Sequence, residues 1–291
     1  MTESAKGHLA LIFFSIFVAG NYSLGSMAAP YMDATALMAL RFVFAGILMG
    51  AIVMVRRPVA FAQVTGYWRY LLLGTVFAVY FVSLFEALKT SSAVTIGAMF
   101  TLVPFFTAGF AFFLIQQKTT AYVLGLLSIA AIGAVWVIFR GDPAQLMAFE
   151  LGRGEKIFFI GVIAHALYVP LLRKLDRGEP VMVSTFGVLA GGSIPLLLFS
   201  FPELLATDWS AVPGIVWIAL AYIVVFATLI TFALLVYANQ RLPSVSTMAY
   251  TYLVPSWVIL WEVLLGHGMV TTPILVGIAL TIAPMLIWLR Y

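Results

Sequence analysis

Apolar residues fill this chain in long runs, and polar residues gather in brief breaks between them. A helix needs about 20 apolar residues to cross the hydrocarbon core of a bilayer. On that spacing the sequence predicts ten spans, near residues 7–27, 33–55, 67–88, 91–115, 119–139, 154–173, 181–201, 212–238, 244–265 and 272–290. The breaks are short, so neighbouring helices are expected to pack antiparallel. The longest break, 140–153, holds Arg140, Gly141, Asp142 and Pro143 and reads as a linker between residues 1–139 and 154–291.

The two halves repeat. Phe85-Glu86-Ala87-Leu88-Lys89, Ala93 and Pro104 in the first correspond to Val236-Tyr237-Ala238-Asn239-Gln240, Ser244 and Pro255 in the second. Ala87 and Ala238 are 151 residues apart, as are Pro104 and Pro255; Pro30 and Pro180 are 150 apart. Five spans per half is an odd number, so consecutive halves must insert with opposite orientation. The expected fold is an all-α integral membrane protein of ten transmembrane helices, arranged as two inverted five-helix repeats. Such repeats build carriers around a central site.

Composition agrees with membrane insertion. Hydrophobic residues make up 64% of the chain and charged residues 9%, against about 25% charged in soluble domains. The mean hydropathy is +1.11. Cysteine is absent, which excludes disulfides and Cys-ligated metal; no cofactor is expected. If the N-terminus is cytoplasmic, Lys6, Arg56, Arg57, Arg69, Lys118, Arg173, Lys174, Arg177, Arg241 and Arg290 lie inside. Only Lys89, Arg140, Arg153 and Lys156 then lie outside. That excess predicts cytoplasmic N- and C-termini in a bacterial-type inner membrane. The net charge of +4 thus reflects topology and implies no nucleic-acid partner. Met1–Lys6 followed by Leu9–Val18 mimics a signal peptide, but nine further spans favour an uncleaved first helix. Trp68, Trp209, Trp217, Trp288 and Tyr291 sit near span ends, where aromatic residues anchor helices in membrane lipid.

Proline marks the middle of two spans. Pro104 lies about 20 Å into span 4 and Pro255 about 16 Å into span 9, at 1.5 Å per residue. Each removes a backbone donor and loosens its helix, so the matched pair reads as two hinges. Pro170, Pro195 and Pro284 lack partners and read as packing kinks.

Phe85-Glu86-Ala87-Leu88-Lys89-Thr90-Ser91-Ser92-Ala93 with Leu102-Val103-Pro104 resembles the EamA-domain pattern of the drug/metabolite transporter superfamily. That pattern joins an Ala-Leu dipeptide, a small-residue turn and a Pro-containing fourth helix. Arg41 matches an arginine common in the family's second helix. The resemblance covers the whole chain. It departs after spans 4 and 9, where Gln116-Gln117-Lys118 and Gly266-His267-Gly268 replace the frequent Gly-Glu. Among such families the chain is most similar to the aromatic amino-acid exporters of the YddG type. The resemblance implies export of small amphipathic metabolites, aromatic and related amino acids first, with other metabolites or drugs as the alternative.

The residues supply candidates of their own. Tyr250, Trp257 and Trp261 fall within about 40° of one another at 100° per residue, and Trp257 lies near mid-membrane. They read either as a wall for an aromatic or cationic solute or as helix packing with bonded indoles. Asn21 and Tyr22 in span 1, Tyr80 in span 3, and His165 and Tyr168 in span 6 are polar groups at depth. They are candidates to line a shared cavity or to bond neighbouring helices.

Three ionisable residues lie inside spans: Arg41, Glu86 and Glu262. Such residues are expensive in lipid and are functional candidates by default. Arg41 reads as an outer gate with Glu86 or Glu262, or as a contact for a substrate carboxylate. Gly187, Gly191 and Gly192 in span 7 predict a close helix contact. An intramembrane enzyme is the competing class, but no His-Glu-x-x-His or Gly-x-Ser-Gly motif occurs, and Gly191-Gly192-Ser193 runs into Ile194. No P-loop appears, so nothing in the chain implies ATP or an ATPase subunit as power source.

Overall fold

The computed structural model describes residues 2–56, 66–148, 151–239, 241–242, 250–268 and 270–288. The sequence readings at Arg57, Gln240, Ser244, Arg290 and Tyr291, and at the side chain of Trp288, lie outside the described residues.

Among the described residues the chain is helical and forms no strand. In order come α1 (Glu3–Ala28), α2 (Ala34–Arg56), α3 (Trp68–Ala87), α4 (Ala93–Phe100), α5 (Val103–Ile115), α6 (Ala121–Ile138), the short α7 (Pro143–Ala148) and α8 (Arg153–Leu175). They are followed by α9 (Val181–Ala206), α10 (Gly214–Val224), a π-helical turn (Val225–Ile230), α11 (Thr231–Asn239), a 3-10 turn (Tyr250–Leu253), α12 (Val254–Leu264) and α13 (Thr272–Trp288). Among the described residues, eight helical stretches are long and apolar enough to cross a bilayer. Polar side chains start several of them. Thr2, Ser92 and Thr120 accept from the backbone amides of Ala5, Thr95 and Val123, and Asp33 accepts from Thr35 and Ala36. Each satisfies donors that a helix start leaves open.

The end of the bundle that holds Glu3 is called proximal here, and the opposite end distal. α3 is central: it packs against α8 and α9. α2 also lies on α9, α5 on α8, and α6 on α13. α1 packs against α10, α11 and α12.

Two of these crossings depend on glycine. A Cβ on Gly191 would stand 2.2 Å from the Tyr70 carbonyl oxygen, and one on Gly74 would stand 2.2 Å from the Gly192 nitrogen. The α3–α9 contact is therefore backbone against backbone, as the glycines of span 7 predict. α6 and α13 meet the same way, with a Cβ on Gly133 falling 2.6 Å from the Gly277 oxygen. Close approach of this kind replaces the hydrophobic drive that lipid does not supply between helices.

Proline breaks the fourth span into two helices. α4 ends at Phe100, Thr101 and Leu102 make tight turns onto Ala98 and Met99, and α5 restarts with Pro104 near its N-terminus. The 3-10 turn at Tyr250–Leu253 stands in the same relation to Pro255 at the start of α12. In each case the proline falls in a helix's first turn, where its missing N–H costs nothing. Pro170 lies inside α8 and leaves the Ala166 carbonyl without its helical donor. The Thr107 hydroxyl of α5 donates to that oxygen at 3.4 Å.

The proximal end is tied by a buried ion pair. Arg69 at the start of α3 meets Glu179 in the turn before α9, with side chains 2% and 5% exposed, and also donates to the Leu175 carbonyl. Burial alone would raise the Glu179 carboxyl; the bond from Arg69 and the backbone amides of Glu179 and Arg177 outweigh it and hold the group below its usual value. A depressed carboxylate stabilises the fold above its unfolded value of about 4.3. That contribution is lost as pH falls through the folded value. We expect thermal unfolding to show a melting temperature that drops on acidification below about pH 4, with a shallower drop in Glu179→Gln.

Candidate functional site

Four of the polar candidates converge where α1, α3, α4 and α8 meet. Tyr22 of α1 and Tyr80 of α3 bring their hydroxyls to 3.3 Å. The His165 ring of α8 stands edge-on to Tyr80 at 4.5 Å and to Phe100 at 5.2 Å. Tyr168, one turn on, stacks on Phe77 at 4.5 Å. Phe77 and Phe81 lie 4.7 Å apart and join both sets. Helical spacing explains the gathering: Phe77, Tyr80 and Phe81 are three and four residues apart, as His165 and Tyr168 are three apart, so each group shares one face. His165 Nδ1 is buried and has no hydrogen-bond partner. A buried polar nitrogen left unpaired is costly, and four aromatic rings pack around this imidazole.

Arg41 of α2 adjoins this cluster. It is 1% exposed, and its guanidinium carbon lies 3.7 Å from the centre of the Phe81 ring. Nε donates to the Thr228 hydroxyl at 3.1 Å, Nη2 to the Ala227 carbonyl at 3.2 Å, and Nη1 to the Asn21 side-chain oxygen at 3.4 Å. Ala227 and Thr228 belong to the π-helical turn between α10 and α11, where a register shift re-aims backbone and side chain.

The expected carboxylate partners of Arg41 lie elsewhere. Glu86 pairs with Lys89 at 2.5 Å and approaches Arg153 at 4.0 Å. Glu262 meets His267 Nδ1 at 2.9 Å. Both carboxylates are within a turn or two of their helix ends, and each takes a nearby side-chain partner there rather than reaching inward. Hence the Arg41 gate pair anticipated from sequence is not formed in this arrangement.

The candidates of span 9 also stand apart. Tyr250 bonds His8 at 2.8 Å near the proximal end. The Trp257 indole donates to the Ser15 hydroxyl at 2.9 Å, and the Trp261 indole to the Ile16 carbonyl at 3.4 Å. Trp261 also meets Tyr222 edge-on at 5.8 Å. The two tryptophans hold α12 on α1 instead of facing His165. The helical-wheel angle that grouped Tyr250 with them fails because the 3-10 turn before Val254 changes the phase.

Phe77, Phe81, Phe100 and Thr228 complete the site and were not singled out in the sequence. Thr228 had a signal, as a polar residue in an apolar run. The phenylalanines had none, because lipid-facing and core-facing phenylalanines look alike. Two open depressions lie at the distal end. One of about 430 Å³ is lined by Ser26, Met27, Pro30, Tyr31, Ile215 and His267; the other, of about 280 Å³, lies between Asp33 and Asp208. Distal depressions thus face a proximal end tied by Arg69 and Glu179.

Long apolar helices with a buried aromatic and cationic cluster between them define an integral membrane protein. The EamA-like transporter family matches residues 5–139 and again residues 152–289, and the chain belongs to that family. It is 27% identical over 227 residues to a Bacillus subtilis (strain 168) protein described as the uncharacterized transporter YyaM, covering 77% of this chain and 74% of the relative. One solved crystal structure superposes with a TM-score of 0.70 over 98% of this chain and 96% of its own, at 17% identity, and so shares the fold.

Proposed function

We propose that this transporter is a secondary carrier that exports small amphipathic metabolites, aromatic and related amino acids foremost. The observation that carries the reading is His165: an unpaired polar nitrogen buried among Tyr80, Phe100, Phe77 and Tyr168. Ring walls of this kind suit an aromatic body, and the unpaired nitrogen suits one polar group on it.

The carrier would consist of ten transmembrane helices in two inverted five-helix halves, residues 1–139 and 154–291, joined by 140–153. The double family match supports that division. So does the packing: α3 lies on α8 as α1 lies on α10 and α11, while α2 meets α9 and α6 meets α13. A solute bound at the cluster would be exposed alternately at the two ends. The breaks before Pro104 and Pro255 would serve as hinges. The basic residues at the proximal end support a cytoplasmic location for it in a bacterial-type inner membrane.

The test is counterflow. Proteoliposomes loaded with unlabelled phenylalanine should accumulate labelled phenylalanine, with tryptophan but not threonine competing. His165→Ala should lower the rate by about tenfold or more, the scale expected for one hydrogen bond to a polar solute, while gel filtration of the purified protein stays unchanged. Accumulation equal to that of empty liposomes would remove aromatic amino acids as substrates.

A further inference from the structure

Arg41 carries a charge that no carboxylate among the described residues pairs with. Its acceptors are a hydroxyl, an amide oxygen and a backbone carbonyl, all neutral. Glu86 and Glu262 are paired elsewhere, and Asp33 caps the start of α2. A guanidinium has five N–H donors, and the contacts here use one on each nitrogen, which leaves one on each Nη. Taking a charge out of water without a counter-ion is expensive, and proteins avoid it. The ring of Phe81 covers one face of the guanidinium, and a π-face is a weak substitute for a counter-ion.

A pure strut would not need this residue. Methionine would fill the space, and a glutamine could bond Ala227 and Thr228 without the cost of a buried charge. A guanidinium with spare fork donors is the geometry that binds a carboxylate through two parallel bonds. Phe81 touches Tyr80 at 4.6 Å, and Tyr80 touches His165 at 4.5 Å. The charge and the unpaired imidazole nitrogen therefore lie at the two ends of one short chain of rings.

We propose that Arg41 is the anchor for a carboxylate on the transported solute, so that the site takes anionic or zwitterionic aromatic solutes and rejects purely cationic ones. The inference rests on the carrier reading for its biological meaning, but not for its test. The solute's carboxylate takes the two spare Nη donors at the edge of the guanidinium, with Phe81 left on its face. Its aromatic body lies against Phe77, Tyr80 and Phe100 on the side toward His165. A cation at the same place would meet the guanidinium's like charge in a low-dielectric interior, where repulsion is strongest.

The test compares 3-phenylpropionate, phenylalanine and phenethylamine as ligands of the purified protein, by thermal unfolding. The two carboxylates are expected to raise the melting temperature and phenethylamine to leave it unchanged. Arg41→Gln should abolish the shift, and Arg41→Lys should keep it with affinity about tenfold weaker. Should Arg41→Gln fail to fold, Asn21→Asp decides. It places a carboxylate beside Nη1, so the protein should fold, melt higher on its own and no longer respond to 3-phenylpropionate.

The proposal is overturned if phenethylamine stabilises as well as the carboxylates, if no carboxylate stabilises, or if stabilisation survives Arg41→Gln or Asn21→Asp. Carboxylate-dependent stabilisation without counterflow would fell the carrier reading and leave the anion site standing. Counterflow of phenethylamine without any carboxylate effect would do the reverse.

Discussion

Gly191→Val is expected to eliminate folded protein. A side chain there meets the backbone of α3, with its first carbon 2.2 Å from the Tyr70 oxygen, 2.5 Å from the Tyr70 carbonyl carbon and 2.8 Å from the Leu71 nitrogen. No rotamer relieves a clash with backbone, so α9 must retreat from α3. Gly74 and Gly192 then lose their contact, and Tyr70 its seat against Gly187. Overpacking a core costs about 1–3 kcal/mol where side chains can adjust; here we expect the upper end or beyond, against a total stability of about 5–15 kcal/mol. Gly109→Ala is the control. Nothing lies within 4 Å of its added carbon, and alanine inside a helix gains about 0.5–1 kcal/mol over glycine. Gel filtration of detergent extracts should show a monodisperse peak for Gly109→Ala and aggregate for Gly191→Val.

The second large effect is at the proximal end. Arg69→Leu strands the buried Glu179 carboxylate and removes the donor that the Leu175 carbonyl uses. Breaking a buried pair from one side costs about 3–5 kcal/mol, and replacing both members by apolar residues is often close to neutral. Arg69→Leu alone should therefore melt well below wild type, and Arg69→Leu with Glu179→Leu should recover much of the loss. A double variant that melts as low as the single one would mean that the bond to Leu175, rather than the ion pair, holds this end together.

Hydropathy made the first eight spans legible, because a span must be apolar over its whole length whatever it packs against; the ninth falls partly outside the described residues and the tenth forms a shorter apolar helix. A close contact along α9 was legible too, since Gly187, Gly191 and Gly192 let a neighbouring helix approach; that the neighbour is α3 was not. Tyr22, Tyr80, His165 and Tyr168 could be marked as polar groups at depth, and the structure gathers them. Direction was harder to read. In water, polarity tells which face of a helix turns inward; in lipid both faces are apolar, so sequence did not separate the Trp257 and Trp261 face of α1 from the Tyr22 face.

Breaks in helical phase hid the rest. The 3-10 turn at Tyr250 and the π-helical turn at Thr228 both shift the angle between residues on either side. An angle of 100° per residue cannot be carried across them. Arg69 and Glu179 were visible only as charges near a membrane edge, and nothing in their spacing of over a hundred residues announces that they meet.

The most direct test of the account is whether the two ends of the bundle open in turn. The chain contains no cysteine, so single pairs can be introduced without background. One pair, Lys118→Cys with Lys174→Cys, spans the proximal end; another, Lys89→Cys with Ser210→Cys, spans the distal end. Distances between spin labels would be measured with and without phenylalanine. The account predicts that whichever pair lengthens, the other shortens, and that Glu179→Gln shifts the balance toward a longer proximal distance. Distances that stay fixed at both ends, or that lengthen together, would contradict a carrier working around a site between two halves.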